Sequence, residues 1–318
     1  MATGLVMGCK VLVCDPMPPE FRELLEKGGL EVHEVRSPPP TILRKLVADY
    51  DVLVVRSSTR VTAEVLEAGR RLKLVARAGS GLDNIDVEAA RALGIEVINV
   101  PEAVANAVAE LTICLILSLL RMTPMAIESL KAGRWEKHKL LGRELEGMRV
   151  GVVGLGSVGS LVARKLKALG ARVIGYRRNR RLLLEFSRRY GVEAAESLEE
   201  LLRRSELVTL HVPYTRETHH LIDRHALHKL PRGAYLVNTS RAWVVEGPAL
   251  LEALEEGLLE GVAIDVHYHE PPREEWEWRL IKHPRVIATP HIGAQTREAR
   301  LRVARELAAK ILREIRKL

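Results

Sequence analysis

Ten residues, Val150-Gly151-Val152-Val153-Gly154-Leu155-Gly156-Ser157-Val158-Gly159, constrain this chain more than any other stretch. An apolar run too short for a helix delivers glycines at the G-x-G-x-x-G spacing, and Leu161 to Leu166 continues with helical periodicity. The pattern predicts a strand, a tight turn and a helix. Gly154 permits the turn, Gly156 lets a pyrophosphate approach the backbone, and Gly159 lets the helix pack against the strand. Ser157 and Val158 then open the helix, where free N–H groups and the helix dipole favour phosphate. Such turns also occur without a ligand. The context separates the two readings, because Gly170 ends the helix and Arg172 to Tyr176 supplies a next parallel strand. That context favours a dinucleotide site.

Other βα units flank the turn. Upstream, strands are expected at Lys10–Cys14, Glu31–Val35, Val52–Val55, Leu72–Ala76 and Glu96–Ile98, with helices between them. Downstream they recur at Val192–Ala194, Leu207–His211, Ala234–Asn238, Val262–Val266 and Val286–Ala288. Alternating strands and helices imply parallel sheets covered on both faces. The expected architecture is α/β, with two doubly wound domains, the second inserted into the first. Residues 1–101 and 290–318 form the outer domain and 102–289 the inserted one. A helical pattern from Ala103 to Leu130 is long enough to bridge them, and Ser197 with Glu200 predicts a capping box.

Ligands of such sheets bind beyond the carboxyl ends of the strands. Arg56 and Arg77 stand there, followed in the second case by the small residues Ala78-Gly79-Ser80-Gly81. They read either as surface arginines or as an anion cradle with accessible backbone N–H groups. The formal net charge of +8 comes from 49 basic residues interspersed with 41 acidic ones. Mixed charge argues for solvated helix faces over a nucleic-acid surface, and for steering of small anionic substrates. The most apolar run, Leu111–Leu120, is shorter than the roughly 20 residues of a membrane helix, and no export signal is visible. A cytoplasmic protein without membrane or nucleic-acid partners is expected. Cys9, Cys14 and Cys114 show no metal or disulfide spacing and read as buried thiols. His211, His267 and His269 lack a completing set of ligands, so no metal is expected.

Three further segments carry a family resemblance: Asn238-Thr239-Ser240-Arg241, Asp265-Val266-His267-Tyr268-His269-Glu270-Pro271 and Pro290-His291-Ile292-Gly293. With the glycine turn, and in this order, they resemble the D-2-hydroxyacid dehydrogenase family nearly end to end. The segments Val55–Thr62, Arg77–Asp86 and Gly133–Glu136 look most like its phosphoglycerate dehydrogenase branch, in a short form ending at Leu318. No C-terminal regulatory domain is therefore expected. The resemblance implies a Rossmann dinucleotide-binding domain within a flavodoxin-like substrate domain, and a homodimer. It implies catalytic roles for Arg241, Glu270 and His291, and cofactor contacts from Thr239 and Asp265 beside the turn. Each role suits its chemistry. A guanidinium fork holds a carboxylate and polarises a carbonyl, a histidine exchanges a hydroxyl proton near neutral pH, and a carboxylate orients that ring.

The implied reaction is hydride exchange between a nicotinamide and C2 of 3-phosphoglycerate. Glyoxylate or hydroxypyruvate reduction is the alternative within the family. A dinucleotide-sensing corepressor is the alternative of another class, since fold alone does not decide function. Departures from the family pattern bear on detail. Ala242 and Trp243 follow the arginine where small residues are usual, and His267 replaces an aromatic. Arg177 follows the second strand of the turn unit, where an acidic residue usually binds the ribose hydroxyls of NAD. NAD or NADP is therefore expected, with Arg177 leaning towards NADP.

Overall fold

The computed structural model describes residues 8–317. The chain divides into two units, one of residues 1–104 with 294–318 and the other of residues 105–293. The first holds a five-stranded parallel sheet of β1 (Lys10–Val13), β2 (Glu31–Glu34), β3 (Val52–Val55), β4 (Leu74–Arg77) and β5 (Glu96–Asn99), in the order β2-β1-β3-β4-β5. This is the flavodoxin-like order. The second holds seven parallel strands: β6 (Arg149–Val153), β7 (Arg172–Tyr176), β8 (Glu193–Ala194), β9 (Leu207–Leu210), β10 (Ala234–Asn238), β11 (Leu259–Ile264) and β12 (Val286–Ala288). Their order, β12-β11-β10-β9-β6-β7-β8, is a Rossmann sheet extended by one strand.

Central strands read as unbroken apolar runs because both faces are covered. In β1 and β3, Val11, Val13, Val52 and Val54 enter one core, while Leu12, Leu53 and Val55 enter the other. That division follows the two-residue period of a strand. The edges are polar or short: β2 buries only Val32, and β8 has two residues. The last helix, Arg297–Ile315, returns to the first unit and buries Val303, Ala304, Leu307, Ala308 and Ile311 in its core.

Several expectations need correction. The long helical pattern is two helices, Pro101–Leu120 and Thr123–Lys131. Met122 adopts a left-handed φ of 51° between them, and Pro124 begins the second, where its missing N–H costs no helical bond. The apolar run belongs to a 20-residue helix long and apolar enough to cross a membrane, but Ala109, Leu115, Ile116, Leu119 and Leu120 pack into a core of the second unit. The first crossing between units lies within this helix, past Pro101, because the helix continues unbroken. The second lies after Gly293, past Pro290, because the Gly293 N–H is bonded to Asp265. Ser197 caps its helix by accepting the Glu200 N–H, but the Glu200 carboxylate reaches the N–H of Glu196, so the box is displaced by one residue. Cys9 and Cys14 are buried, and Cys114 is exposed.

Candidate active site

The glycine turn joins β6 to the helix Ser157–Ala168. The turn lies where the chain leaves β6 for β7 on one side and later for β9 on the other, the crevice position of doubly wound sheets. Its three glycines meet different demands. Gly154 has a φ of +91°, and a Cβ on it would lie 2.5 Å from the His211 carbonyl oxygen. A Cβ on Gly159 would lie 1.8 Å from the Gly154 carbonyl oxygen, so helix and strand approach too closely for any side chain. A Cβ on Gly156 would meet nothing within 4 Å. Open space therefore faces the backbone at the helix entrance. No side chain caps that helix, and the first-turn N–H groups, at Ser157 and Val158 among them, lack helical acceptors. The turn fits a dinucleotide pyrophosphate. His211 follows β9, and burial pulls its ring down to about 3 and keeps it neutral. Arg177, just beyond β7, donates from Nη1 to the Leu155 carbonyl at 3.1 Å, which holds its guanidinium beside the turn. Of the neighbouring arginines, Arg180 pairs with Glu196 at 3.3 Å.

Arg241, Glu270 and His291 follow β10, β11 and β12, three adjacent strands, at their carboxyl ends. The Asn-x-x-Arg spacing has a local cause. Asn238 Oδ1 accepts the Ser240 N–H and hydroxyl at 3.0 and 2.8 Å, while its amide donates to the Arg241 carbonyl at 2.9 Å. The Arg241 side chain then bonds the Ser240 carbonyl at 2.7 Å. Ala242 to Val244 make a short 3₁₀ turn in which Ala242 is buried and Trp243 packs on Tyr268, their ring centroids 4.2 Å apart. Thr239 is buried and its hydroxyl meets Thr112 at 2.9 Å.

His291 Nδ1–H donates to both carboxylate oxygens of Glu270, at 2.7 and 2.8 Å. Burial pushes the Glu270 carboxyl up, but the hydrogen bond and charge of His291, with help from His267, hold it below its ordinary value. The ring and the carboxylate are each about two-fifths exposed, which leaves the pair open to a ligand. His291 itself has a left-handed φ of 52°, a conformation that needs external support in a residue with a side chain. Asp265 supplies it. The Asp265 carboxylate, 1% exposed, accepts the N–H of Ile292 and of Gly293 at 2.8 Å each and the Thr289 hydroxyl at 2.6 Å. This carboxylate holds the His291 loop. His267 donates to the Thr289 carbonyl at 2.9 Å, and His269 donates to Glu277 at 2.9 Å.

In the first unit, Asp15 orients the segment after β3 by accepting the Arg56 N–H at 2.5 Å and the Ser37 hydroxyl at 2.8 Å. Asn84 ties the same segment through the Arg56 and Thr59 carbonyls. The Arg56 guanidinium reaches the Pro16 carbonyl at 3.4 Å, and burial followed by the nearby positive charge of Arg300 lowers its pKa. Arg77 ends β4, one residue later than the expected strand. Its Nη1 fills the space above Gly79, 1.6 Å from where a Cβ would stand. Of the expected cradle, the N–H groups of Ala78 and Gly79 have backbone acceptors. Ala78 donates to Val55 at 2.8 Å and Gly79 to Arg77 at 2.9 Å, because β3–β4 pairing and the turn after it use both.

Asp265 as a loop anchor, Glu277 and Arg300 were not singled out for these positions from sequence. A Glu three residues after Glu274, at a helix start, is a local signal that could have found Glu277.

Residues 113–293 match the model of the D-isomer specific 2-hydroxyacid dehydrogenase NAD-binding domain. The chain is 40% identical over 307 residues to D-3-phosphoglycerate dehydrogenase from Methanocaldococcus jannaschii, covering 96% of this chain and 57% of that protein. It is 41% identical over 310 residues to hydroxypyruvate reductase from Thermotoga maritima, covering 96% of this chain and 98% of that one. The chain thus spans little more than half the length of the first relative and nearly all of the second. Among solved structures, a glyoxylate reductase from Paecilomyes thermophila superposes with a TM-score of 0.88 at 28% identity, covering 98% and 96% of the two chains.

Proposed function

Since this chain belongs to the D-isomer specific 2-hydroxyacid dehydrogenase family, we propose that it interconverts 3-phosphoglycerate and 3-phosphohydroxypyruvate with a nicotinamide dinucleotide. The observation that carries the chemistry is the His291–Glu270 contact. Because Nδ1–H is held by the carboxylate, Nε2 is the ring nitrogen left to exchange a proton with the substrate C2 hydroxyl. Glu270 keeps the ring in that tautomer and stabilises it when protonated. Arg241 holds the substrate carboxylate and draws electron density from the C2 oxygen through its planar fork. The bound nicotinamide supplies the hydride chemistry at C2. The glycine turn and first-turn N–H groups of the helix Ser157–Ala168 hold its pyrophosphate. Arg177 attracts a 2′-phosphate, which favours NADP(H).

Support for a phosphorylated substrate comes from Arg56, whose partly buried guanidinium shares its surroundings with Arg300. A phosphate there relieves the repulsion between the two cations, whereas an uncharged hydroxymethyl group does not. Reduction of hydroxypyruvate or glyoxylate is the second reading, favoured by the Thermotoga maritima relative that the chain matches along nearly its whole length. Arg56→Ala decides between them. For 3-phosphoglycerate the Michaelis constant is expected to rise on the order of tenfold or more, from the loss of roughly 1.5–3 kcal/mol of charge-assisted contact, with a smaller change for glycerate. Equal losses for both substrates, or none for either, remove the phosphate role.

A further inference from the structure

The loop that carries Glu270 contains two consecutive prolines, Pro271 and Pro272, which have no N–H with which to tie it down. Four donors around it converge on one side chain. Glu277, in the first turn of the helix Glu275–Lys282, is 3% exposed. Its Oε1 accepts the His269 N–H at 3.0 Å, and its Oε2 accepts His269 Nδ1–H at 2.9 Å, the Arg273 N–H at 3.0 Å and the Glu274 N–H at 2.9 Å. Those donors flank Glu270-Pro271-Pro272 on both sides. From this geometry we propose that Glu277 is a positioning residue: its carboxylate closes the loop so that Glu270 meets the His291 ring. The inference rests on the catalytic reading of Glu270 and His291.

The charge state suits that role. Burial pushes the Glu277 carboxyl up, yet the gathered donors bring it to about 2, so it is an anion throughout the working range. Of the titratable groups around it, His269 faces it directly. The Tyr268 phenol, bonded to the Val245 carbonyl and accepting the Gly247 N–H, is raised to about 12 by burial and stays neutral. His267 and His291 are the groups that face Glu270. A glutamine at 277 has the same length but offers one acceptor oxygen, and its NH₂ would confront N–H donors.

The test compares Glu277→Gln, His269→Ala and His291→Ala in the full chain, using 3-phosphoglycerate and hydroxypyruvate with the matching nicotinamide dinucleotides. The active fraction is counted by dinucleotide titration. Glu277→Gln is expected to bind dinucleotide as the parent does, to lose roughly ten- to hundredfold in kcat, and to shift the acid limb of its pH profile, because small misplacements of a catalytic group are costly. His269→Ala, which removes one donor, is expected to show the same pattern at about a fewfold. A folded Glu277→Gln with parental kcat and acid limb overturns the proposal, as does lost thermal stability with kcat per binding site unchanged. If Glu277→Gln does not fold, an unchanged kcat and acid limb in His269→Ala overturns it. His291→Ala separates the two layers: full turnover in that variant defeats the catalytic reading, whereas lost turnover beside a normal Glu277→Gln defeats only the positioning role.

Discussion

The glycine turn and the Glu270–His291 loops lie in the same unit and at the same carboxyl-terminal side of one parallel sheet, yet they are built in opposite ways. The turn is a backbone device. Its shape comes from missing side chains, with Gly159 against the Gly154 carbonyl and Gly156 facing open space. The loops are a side-chain device. His291 sits in a left-handed conformation, and the carboxylates of Asp265 and Glu277 gather the N–H groups of the segments that carry His291 and Glu270. A binding surface for phosphate tolerates a uniform backbone, whereas proton transfer needs one nitrogen of one ring presented in one direction.

The strongest way to separate the two devices is His291→Ala. Turnover is expected to fall by roughly 10²–10⁴-fold, the usual contribution of a positioned acid–base group, while dinucleotide titrations stay near parental values. A variant that loses dinucleotide binding together with turnover merges the two devices and breaks the comparison.

Substitutions within the turn come next. Gly159→Ala puts a methyl group into the Gly154 carbonyl and is expected to cost about 1–3 kcal/mol of stability, with dinucleotide affinity falling as the turn opens. Gly156→Ala places its methyl group in open space, so its melting temperature should match the parent while dinucleotide binding weakens. Thermal melts and titrations on the pair sharpen the distinction between packing and ligand approach. Matching melts for the two variants would remove it.

Arg177, held beside the turn, gives the third test. Arg177→Asp is expected to change the ratio of NADPH to NADH dissociation constants by about tenfold or more towards NADH, since one charge-assisted contact to a 2′-phosphate contributes roughly 1.5–3 kcal/mol. Measuring both constants at low and moderate salt tests this. An unchanged ratio shows that the guanidinium, already bonded to the Leu155 carbonyl, does not read the 2′-phosphate.

Much of the architecture was legible because the relevant signals are local. Apolar runs bounded by turn residues marked the central strands, and the spacing of Gly154, Gly156 and Gly159 located the turn within a residue of its observed place. The interrupted helix was less legible. Continuous apolar periodicity across Met122 concealed a break that depends on one residue's φ and on Pro124 beginning a new helix. The use of the Ala78 and Gly79 N–H groups was hidden for a related reason, since small residues allow N–H groups to be exposed but strand pairing determines whether they are.

By itself the sequence determined the order of βα units, the glycine turn, and the short-range tie from Asn238 to Arg241, because each depends on residues within a few positions of one another. Tertiary structure decided which nitrogen of His291 bonds Glu270, and which of the many acidic residues hold its loop and that of Glu270. Asp265 is 27 residues from Ile292, and Glu270 is 21 from His291. Their contacts exist because β11 and β12 lie side by side in parallel register, which brings the loops after their ends together. A hydrogen bond depends on distances of a few ångströms in space, and separation along the chain carries almost no information about them.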